Sequence, residues 1–249
     1  MIDKRIKSIL EKYEDNSILA IYLTGSRNNN LHTETSDYDY VVIKRPSINS
    51  LLGKLPKPKH TTGEECDYRT YDLVYFLNRA IIESIHNDAE VLWNDPVYYN
   101  EDYEDIKEIL DTNREILINK ERILSSILGC LNGIYHKVSN TSGKVNLEKV
   151  KFNKELANFF RYEVQMKKIV KEDIFYVNFE KDLRKKFLEI KETYPKTADT
   201  KEAKEILEKE NLKERLEYLV QLNKNYKEKE AQKDNIKKDL INKILEIVV

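Results

Sequence analysis

The chain has 249 residues, which is long enough for one large domain or two modest ones. Its 43 basic and 44 acidic side chains leave a formal net charge of −1, so no overall field attracts nucleic acid and any such contact depends on a local patch. The two cysteines form no spacing motif, which is typical of a reduced cytoplasmic setting. There is no apolar run of about 18 residues and no signal-peptide pattern, so we expect a cytoplasmic protein without a membrane partner.

The first hundred residues alternate between helical and strand-like patterns. Apolar spacing, β-rich runs and capping residues predict the following elements in chain order: a helix over 3–14, strands over 17–23, 38–43 and 64–69, and a helix from an N-cap at Thr70 to about residue 87. Prolines and a glycine mark the stretch between residues 46 and 58 as rich in loops.

From about residue 103 onward the pattern is almost entirely helical. One helix is predicted over 147–170, between breaks at 138–143 and 195–200. A later charged helix is predicted to carry four leucines: Leu207, Leu212, Leu216 and Leu219. The fold class is therefore α+β, with an N-terminal α/β domain over residues 1–105 that contains a small mixed sheet, followed by a C-terminal α-helical domain over 106–249.

The residues best suited to binding and catalysis lie between Tyr22 and Ile43. Gly25 and Ser26 end one apolar run, and Asp37 and Asp39 open the next. Residues two apart on a strand point to the same face, and two carboxylates there repel each other unless a cation lies between them. Magnesium takes one or two carboxylates and bridges to substrate phosphates, while the N–H groups of a Gly-Ser turn can bind those phosphates. The segment therefore predicts metal-assisted chemistry on a nucleotide.

The order of a Gly-Ser turn, about ten residues, and an Asp-x-Asp strand opening resembles the DNA polymerase β-type nucleotidyltransferase superfamily. The string GSR…SDYDY looks like the minimal and predicted nucleotidyltransferases within it. Further on, YDLVYFL at 71–77 and EVLWNDPVYY at 90–99 are similar to elements of a narrower branch, the predicted nucleotidyltransferases associated with RNA repair. Members of that branch also carry a helical C-terminal half.

The resemblance implies transfer of a nucleoside monophosphate from an NTP to an acceptor hydroxyl, with Mg²⁺ (one or two ions) and release of pyrophosphate. The branch favours RNA, such as a tRNA end, as the acceptor. Asp37 and Asp39 would bind the metal. The residues implied to hold the nucleotide are Gly25, Ser26, Arg27 and Ser36.

The superfamily also uses a third carboxylate on an adjacent strand, as a metal ligand and as the group that takes the hydroxyl proton. Asp67 is predicted for this role because it belongs to the third predicted strand. Asp72 is the alternative, but it lies where a helix is expected to begin, and an Asp there often serves only to cap.

Two other functions fit the same core. An enzyme that modifies a protein or a small molecule would use the same residues. A catalytically silent nucleotide-binding or interaction module is the other alternative, motivated by the Asn-rich segment Asn28–Asn30 and by the open choice of the third carboxylate. The preferred NTP and the oligomeric state are not encoded by any short motif.

Overall fold

The computed structural model describes residues 3–13, 16–34, 36–63, 65–140, 145–175, 177–226 and 233–248. Contacts divide the chain into two compact units, the first comprising Met1–Asn119 with Lys229–Val249 and the second Lys120–Glu228. The predicted domain boundary at residue 105 lies within the first unit, and it stays a prediction. Within the described ranges, no helix has both the length and the apolar character that a membrane crossing requires.

The elements follow the predicted alternation and then the predicted helical series. The strands are β1 (Ile18–Thr24), β2 (Asp39–Lys44), β3 (Lys59–Thr61), β4 (Asp67–Asp72) and β5 (Tyr98–Tyr99). The α-helices are α1 (Lys4–Leu10), α2 (Gly25–Asn28), α3 (Ile48–Leu51), α4 (Leu73–Leu77), α5 (His86–Ala89), α6 (Glu104–Leu117), α7 (Lys120–Ser139), α8 (Phe152–Glu172), α9 (Lys181–Thr193), α10 (Thr200–Lys209), α11 (Leu212–Asn225) and α12 (Lys233–Val248). Shorter helical turns are a π-helix at Asn78–Ile82 and 3₁₀ turns at Glu90–Trp93, Glu101–Tyr103 and Leu147–Lys149.

The sheet has the strand order β3-β4-β2-β1-β5. β1 is antiparallel to β2 and to β5, β3 is antiparallel to β4, and β2 and β4 run parallel. The prediction of a small mixed sheet is therefore confirmed. The parallel pair is the part that positions the site, because it brings the first residues of two strands to the same end of the sheet.

The two faces of the sheet have different surroundings. On one face, Ile6 and Ile9 of α1 pack with Tyr40, Val42 and Tyr68 in one apolar cluster, and we call this the α1 face. Side chains alternate along a strand, so Asp39 and its neighbours at odd positions of β2 and β4 lie on the opposite face. We call this opposite face the carboxylate face.

The helix predicted from Thr70 to about residue 87 begins later and ends earlier than predicted. Thr70 lies within β4, opposite Val42, where a β-branched side chain suits the sheet. The N-cap is Asp72, whose carboxylate accepts a 3.0 Å hydrogen bond from the Val74 N–H. The helix turns into a π-helix and stops before Ser84, which has a φ of 47°.

The second unit is helical, as predicted, and α8 packs against both α7 and α9. The predicted helix over 147–170 begins with a 3₁₀ turn and then becomes α8, and the break at 195–200 is confirmed. The loop predicted at 138–143 begins after Ser139, and residues 141–143 of it lie outside the described residues. The predicted helix with four leucines is two helices, α10 and α11, because Asn211 has a φ of 51° that interrupts the helical path.

Candidate functional site

The turn after β1 places a glycine directly against a carboxylate. Gly25 has a φ of 68°, a conformation that residues with a Cβ adopt at a cost. A Cβ built on Gly25 would lie 2.6 Å from Oδ2 of Asp39, so there is also no space for one. Thr24 precedes the turn and donates its hydroxyl to the Asp39 carbonyl at 3.2 Å. Only glycine fits this position, and the predicted phosphate-binding turn therefore contacts a predicted metal ligand.

A second carboxylate lies beside Asp39 on the neighbouring strand. Asp67 is the register partner of Asp39 in the parallel pair, so the two side chains share the carboxylate face. The Asp67 N–H donates to the Tyr38 carbonyl at 2.9 Å, which fixes this register, and its Oδ1 accepts from the Gly63 N–H at 3.3 Å. Both carboxylates are half-buried. Adjacent strands are about 4.8 Å apart, so these two charged groups are close neighbours.

The other two candidate aspartates have different surroundings. Asp37 is exposed and precedes the first residue of β2. Asp72 lies at the far end of β4, opposite Lys44. Besides capping α4, its Oδ2 accepts hydrogen bonds from the Ser47 N–H at 2.7 Å and the Ser50 hydroxyl at 2.9 Å. The structure thus places Asp67, and not Asp72, next to Asp39.

Arg27 and Ser36, both predicted to hold the nucleotide, contact each other. The Arg27 guanidinium donates to the Ser36 carbonyl from Nε at 3.0 Å and from a terminal nitrogen at 2.7 Å. The Ser36 hydroxyl in turn accepts from the Thr33 N–H at 2.9 Å. In this structure these contacts fold the segment before β2 back onto α2.

A tyrosine between the two aspartates of the motif is held by two arginines. The guanidinium carbons of Arg5 and Arg27 each lie 3.8 Å from the centre of the Tyr38 ring. Two guanidinium groups cannot share one ring face at that distance, so the ring is sandwiched between them. We call Arg5, Tyr38 and Arg27 the Tyr38 clamp. The motif alone does not predict this clamp, although the sequence SDYDY places the tyrosine between Asp37 and Asp39.

The fit to a metal ion rests on two carboxylates. Within the described ranges, no group of three or more His, Cys, Asp or Glu side chains is arranged to hold a metal. Mg²⁺ that binds together with phosphates commonly takes one or two carboxylates and completes its shell with waters and those phosphates. The neighbouring carboxylates of Asp39 and Asp67 fit that requirement.

Comparison with known proteins identifies the family of the N-terminal part. A family model described as nucleotidyltransferase domain matches residues 3–126. No curated protein matches the sequence. Among solved structures, a nucleotidyltransferase-like protein from Exiguobacterium sibiricum 255-15 is similar, with 12% identity over 96% of this chain and 88% of that chain, and a TM-score of 0.34. The matched family is the polymerase β type predicted above, whereas the RNA-repair branch stays a prediction. The chain therefore carries a nucleotidyltransferase domain over residues 3–126.

Proposed function

We propose that this protein moves a nucleoside monophosphate from an NTP to an acceptor hydroxyl, with Mg²⁺, and releases pyrophosphate. The observation that carries the proposal is the contact of the Asp39 carboxylate with Gly25, combined with the pairing of Asp39 and Asp67. A turn suited to phosphate and a pair of carboxylates suited to a divalent cation meet at one point. Nucleotidyl transfer needs these two features together.

The turn supplies the groups for the triphosphate. The first N–H groups of a helix have no acceptor within the helix, and at the start of α2 they belong to Gly25 and Ser26. These N–H groups and the Ser26 hydroxyl hold phosphate oxygens. Arg27 acts through the Tyr38 clamp, which keeps the segment carrying Asp37 against the turn.

The carboxylates supply the metal site. Asp39 and Asp67 would hold Mg²⁺, and Asp37, two residues before Asp39, would join them. When bound, the ion neutralises the negative charge of the phosphates and the charge that develops during transfer. Asp39 fixes the position of this site relative to the phosphates, because its carboxylate is packed against Gly25.

The transfer itself exchanges one bond to phosphorus for another. The acceptor oxygen forms a bond to the α-phosphorus while the bond from that phosphorus to the bridging β-oxygen breaks, and pyrophosphate leaves with the electron pair. The proton of the hydroxyl passes to the carboxylate of Asp67, which lies on the strand next to Asp39. The chain thereby contributes orientation, charge and a proton acceptor.

The acceptor is proposed to be RNA. Support for it comes from the resemblance of residues 71–77 and 90–99 to the RNA-repair branch. A net charge of −1 gives RNA no overall attraction, so its binding would depend on a local surface.

Paired variants at the two ends of β4 test the assignment. Asp67→Asn removes a charge beside Asp39 and is expected to lower the rate of label transfer by about a hundredfold or more. Asp72→Asn alters the cap of α4 and the contacts with Ser47 and Ser50, far from Asp39, and is expected to keep the rate while losing about 1–2 kcal/mol of unfolding free energy. The reverse pattern, in which Asp72→Asn abolishes transfer and Asp67→Asn does not, would overturn the assignment.

A further inference from the structure

Arg69 and His60 lie on the carboxylate face beside Asp67. Arg69 follows Asp67 by two positions on β4, so both side chains point to the same face. His60, on β3, is the register partner of Arg69 and shares that face as well. The carboxylate face therefore carries Asp39, Asp67, Arg69 and His60 on three neighbouring strands.

The contacts of the intervening residues confirm this alternation. Thr70, between Arg69 and Tyr71, shares a 2.8 Å hydrogen bond with Tyr13, which packs against the cluster on the α1 face. Lys59 is the register partner of Thr70, so its ammonium group is on the α1 side of the sheet. Lys59 and His60 are thus exposed neighbours whose side chains point to opposite faces.

Arg69 is held from behind by a buried carboxylate. Asp88, with a side chain 4% exposed, accepts hydrogen bonds from the Tyr71 hydroxyl at 2.8 Å and from Arg79 Nε at 3.1 Å. The guanidinium of Arg69 lies 4.0 Å from Oδ1 of Asp88, beyond hydrogen-bond distance. Burial and the charge of Asp88 raise the pKa of Tyr71, so Tyr71 stays a donor to this carboxylate.

The front of Arg69 is open. Its side chain is 41% exposed, and within the part of the chain that the structure describes the carboxylate paired with its guanidinium, at 4.0 Å, is beyond hydrogen-bond distance. An arginine presents five N–H donors in a planar fork that matches phosphate oxygens. Here the ion pair restricts the orientation of the group and leaves its donors available.

We propose that Arg69, assisted by His60, binds phosphate oxygens of the substrate beside the carboxylate pair. A phosphate brought next to Asp39 and Asp67 meets two negative charges, and the positive charge of Arg69, whose backbone lies about 7 Å from that of Asp67 along the strand, offsets that repulsion. This role rests on the proposed function, because it assigns Arg69 to the same substrate. The phosphates of an NTP and those of a nucleic-acid acceptor have the same chemistry, and the experiment distinguishes them.

The experiment measures binding of inorganic tripolyphosphate and of a short single-stranded RNA by calorimetry, with Mg²⁺ and with chelator. Arg69→Gln is expected to weaken binding of one of these probes about tenfold or more, since a charge-assisted hydrogen bond is lost. Arg69→Lys keeps the charge and is expected to restore part of the affinity. His60→Gln has a smaller effect in the same direction. Lys59→Gln is the matched control, an adjacent cation on the other face, and is expected to bind as the wild type does.

The probe that loses affinity identifies the source of the phosphate. Equal binding by Arg69→Gln and Lys59→Gln, with both variants folded by circular dichroism, would overturn the role of Arg69, as would failure of the wild type to bind either probe. Binding lost in Arg69→Gln while the wild type transfers no label would leave Arg69 as a phosphate ligand and refute the proposed function. Label transfer that is lost on substitution of Asp39 but unchanged in Arg69→Gln would support the proposed function and refute the role of Arg69.

Discussion

Gly25→Ala is the substitution whose outcome the geometry defines best. The new Cβ meets two obstacles, a φ of 68° and the Asp39 carboxylate oxygen 2.6 Å away. The backbone cost of a left-handed residue with a Cβ is about 1–2 kcal/mol. The steric conflict must be relieved by movement of the carboxylate, because ordinary van der Waals contact begins near 3.4 Å. Asp39 is therefore displaced by roughly 1 Å, and a displacement of that size in a reacting assembly can cost about a hundredfold in rate.

Gly53 offers a matched control for the backbone cost. It also has a positive φ, 81°, but a Cβ built there has nothing within 4 Å. Gly53→Ala is expected to lose about 1–2 kcal/mol of unfolding free energy and to keep the wild-type rate. The two variants therefore share the conformational penalty and differ in the contact with Asp39.

The assay pairs urea unfolding with steady-state transfer of label from an NTP. Gly25→Ala is expected to match or exceed the loss of stability in Gly53→Ala and, in addition, to lower kcat about a hundredfold with a smaller change in KM. If both variants retain wild-type kcat, the packing of Asp39 on Gly25 does not position the carboxylate for the reaction, and the reasoning fails.

Substitutions at three further residues test other parts of the account. Tyr38→Leu removes the ring of the Tyr38 clamp and is expected to lower kcat about tenfold, whereas Tyr38→Phe retains both cation–π contacts and the wild-type kcat. If Tyr38→Leu and Tyr38→Phe have the same kcat, the ring has no positioning role. Because the pKa of Tyr71 is raised, its contribution to stability is complete below about pH 10 and is lost as pH rises further. In urea titrations, the unfolding free energy of Tyr71→Phe is therefore expected to fall less steeply with alkaline pH than that of the wild type. The same slope in both proteins would contradict this. Phe159→Ala is expected to lower the unfolding free energy by about 3–5 kcal/mol because the ring is fully buried in the second unit; a loss below about 1 kcal/mol would contradict that packing.

The strands that carry the site could be predicted from the sequence because their signals are local. β-branched and aromatic runs mark β1 and β2, and the Gly-Ser turn ends the first of them. The pairing of Asp39 with Asp67 depends on the register of two parallel strands, and a long connection separates them in the chain. No local pattern fixes such a register, so the sequence alone leaves both Asp67 and Asp72 open as the third carboxylate.

The contacts made by long side chains could not be predicted in the same way. The motif places Arg27 next to the turn. It does not specify that the Arg27 guanidinium donates to the Ser36 carbonyl or that it stacks on the Tyr38 ring. β3 directly follows the stretch whose prolines indicate loop, and no strand is predicted there, so the pairing of His60 with Arg69 had no signal in the sequence. The division of the leucine-bearing helix at Asn211 was missed because apolar spacing continues across it.

The central claim is tested most directly by label transfer from each of four α-labelled NTPs, with Mg²⁺ and total RNA, by the wild type and by a variant carrying Asp37→Asn and Asp39→Asn. We expect labelled RNA and released pyrophosphate from the wild type alone, with one NTP preferred. Nucleotide binding by the wild type without pyrophosphate release, whether the acceptor offered is RNA, protein or a small molecule, would contradict the account and identify a silent nucleotide-binding module.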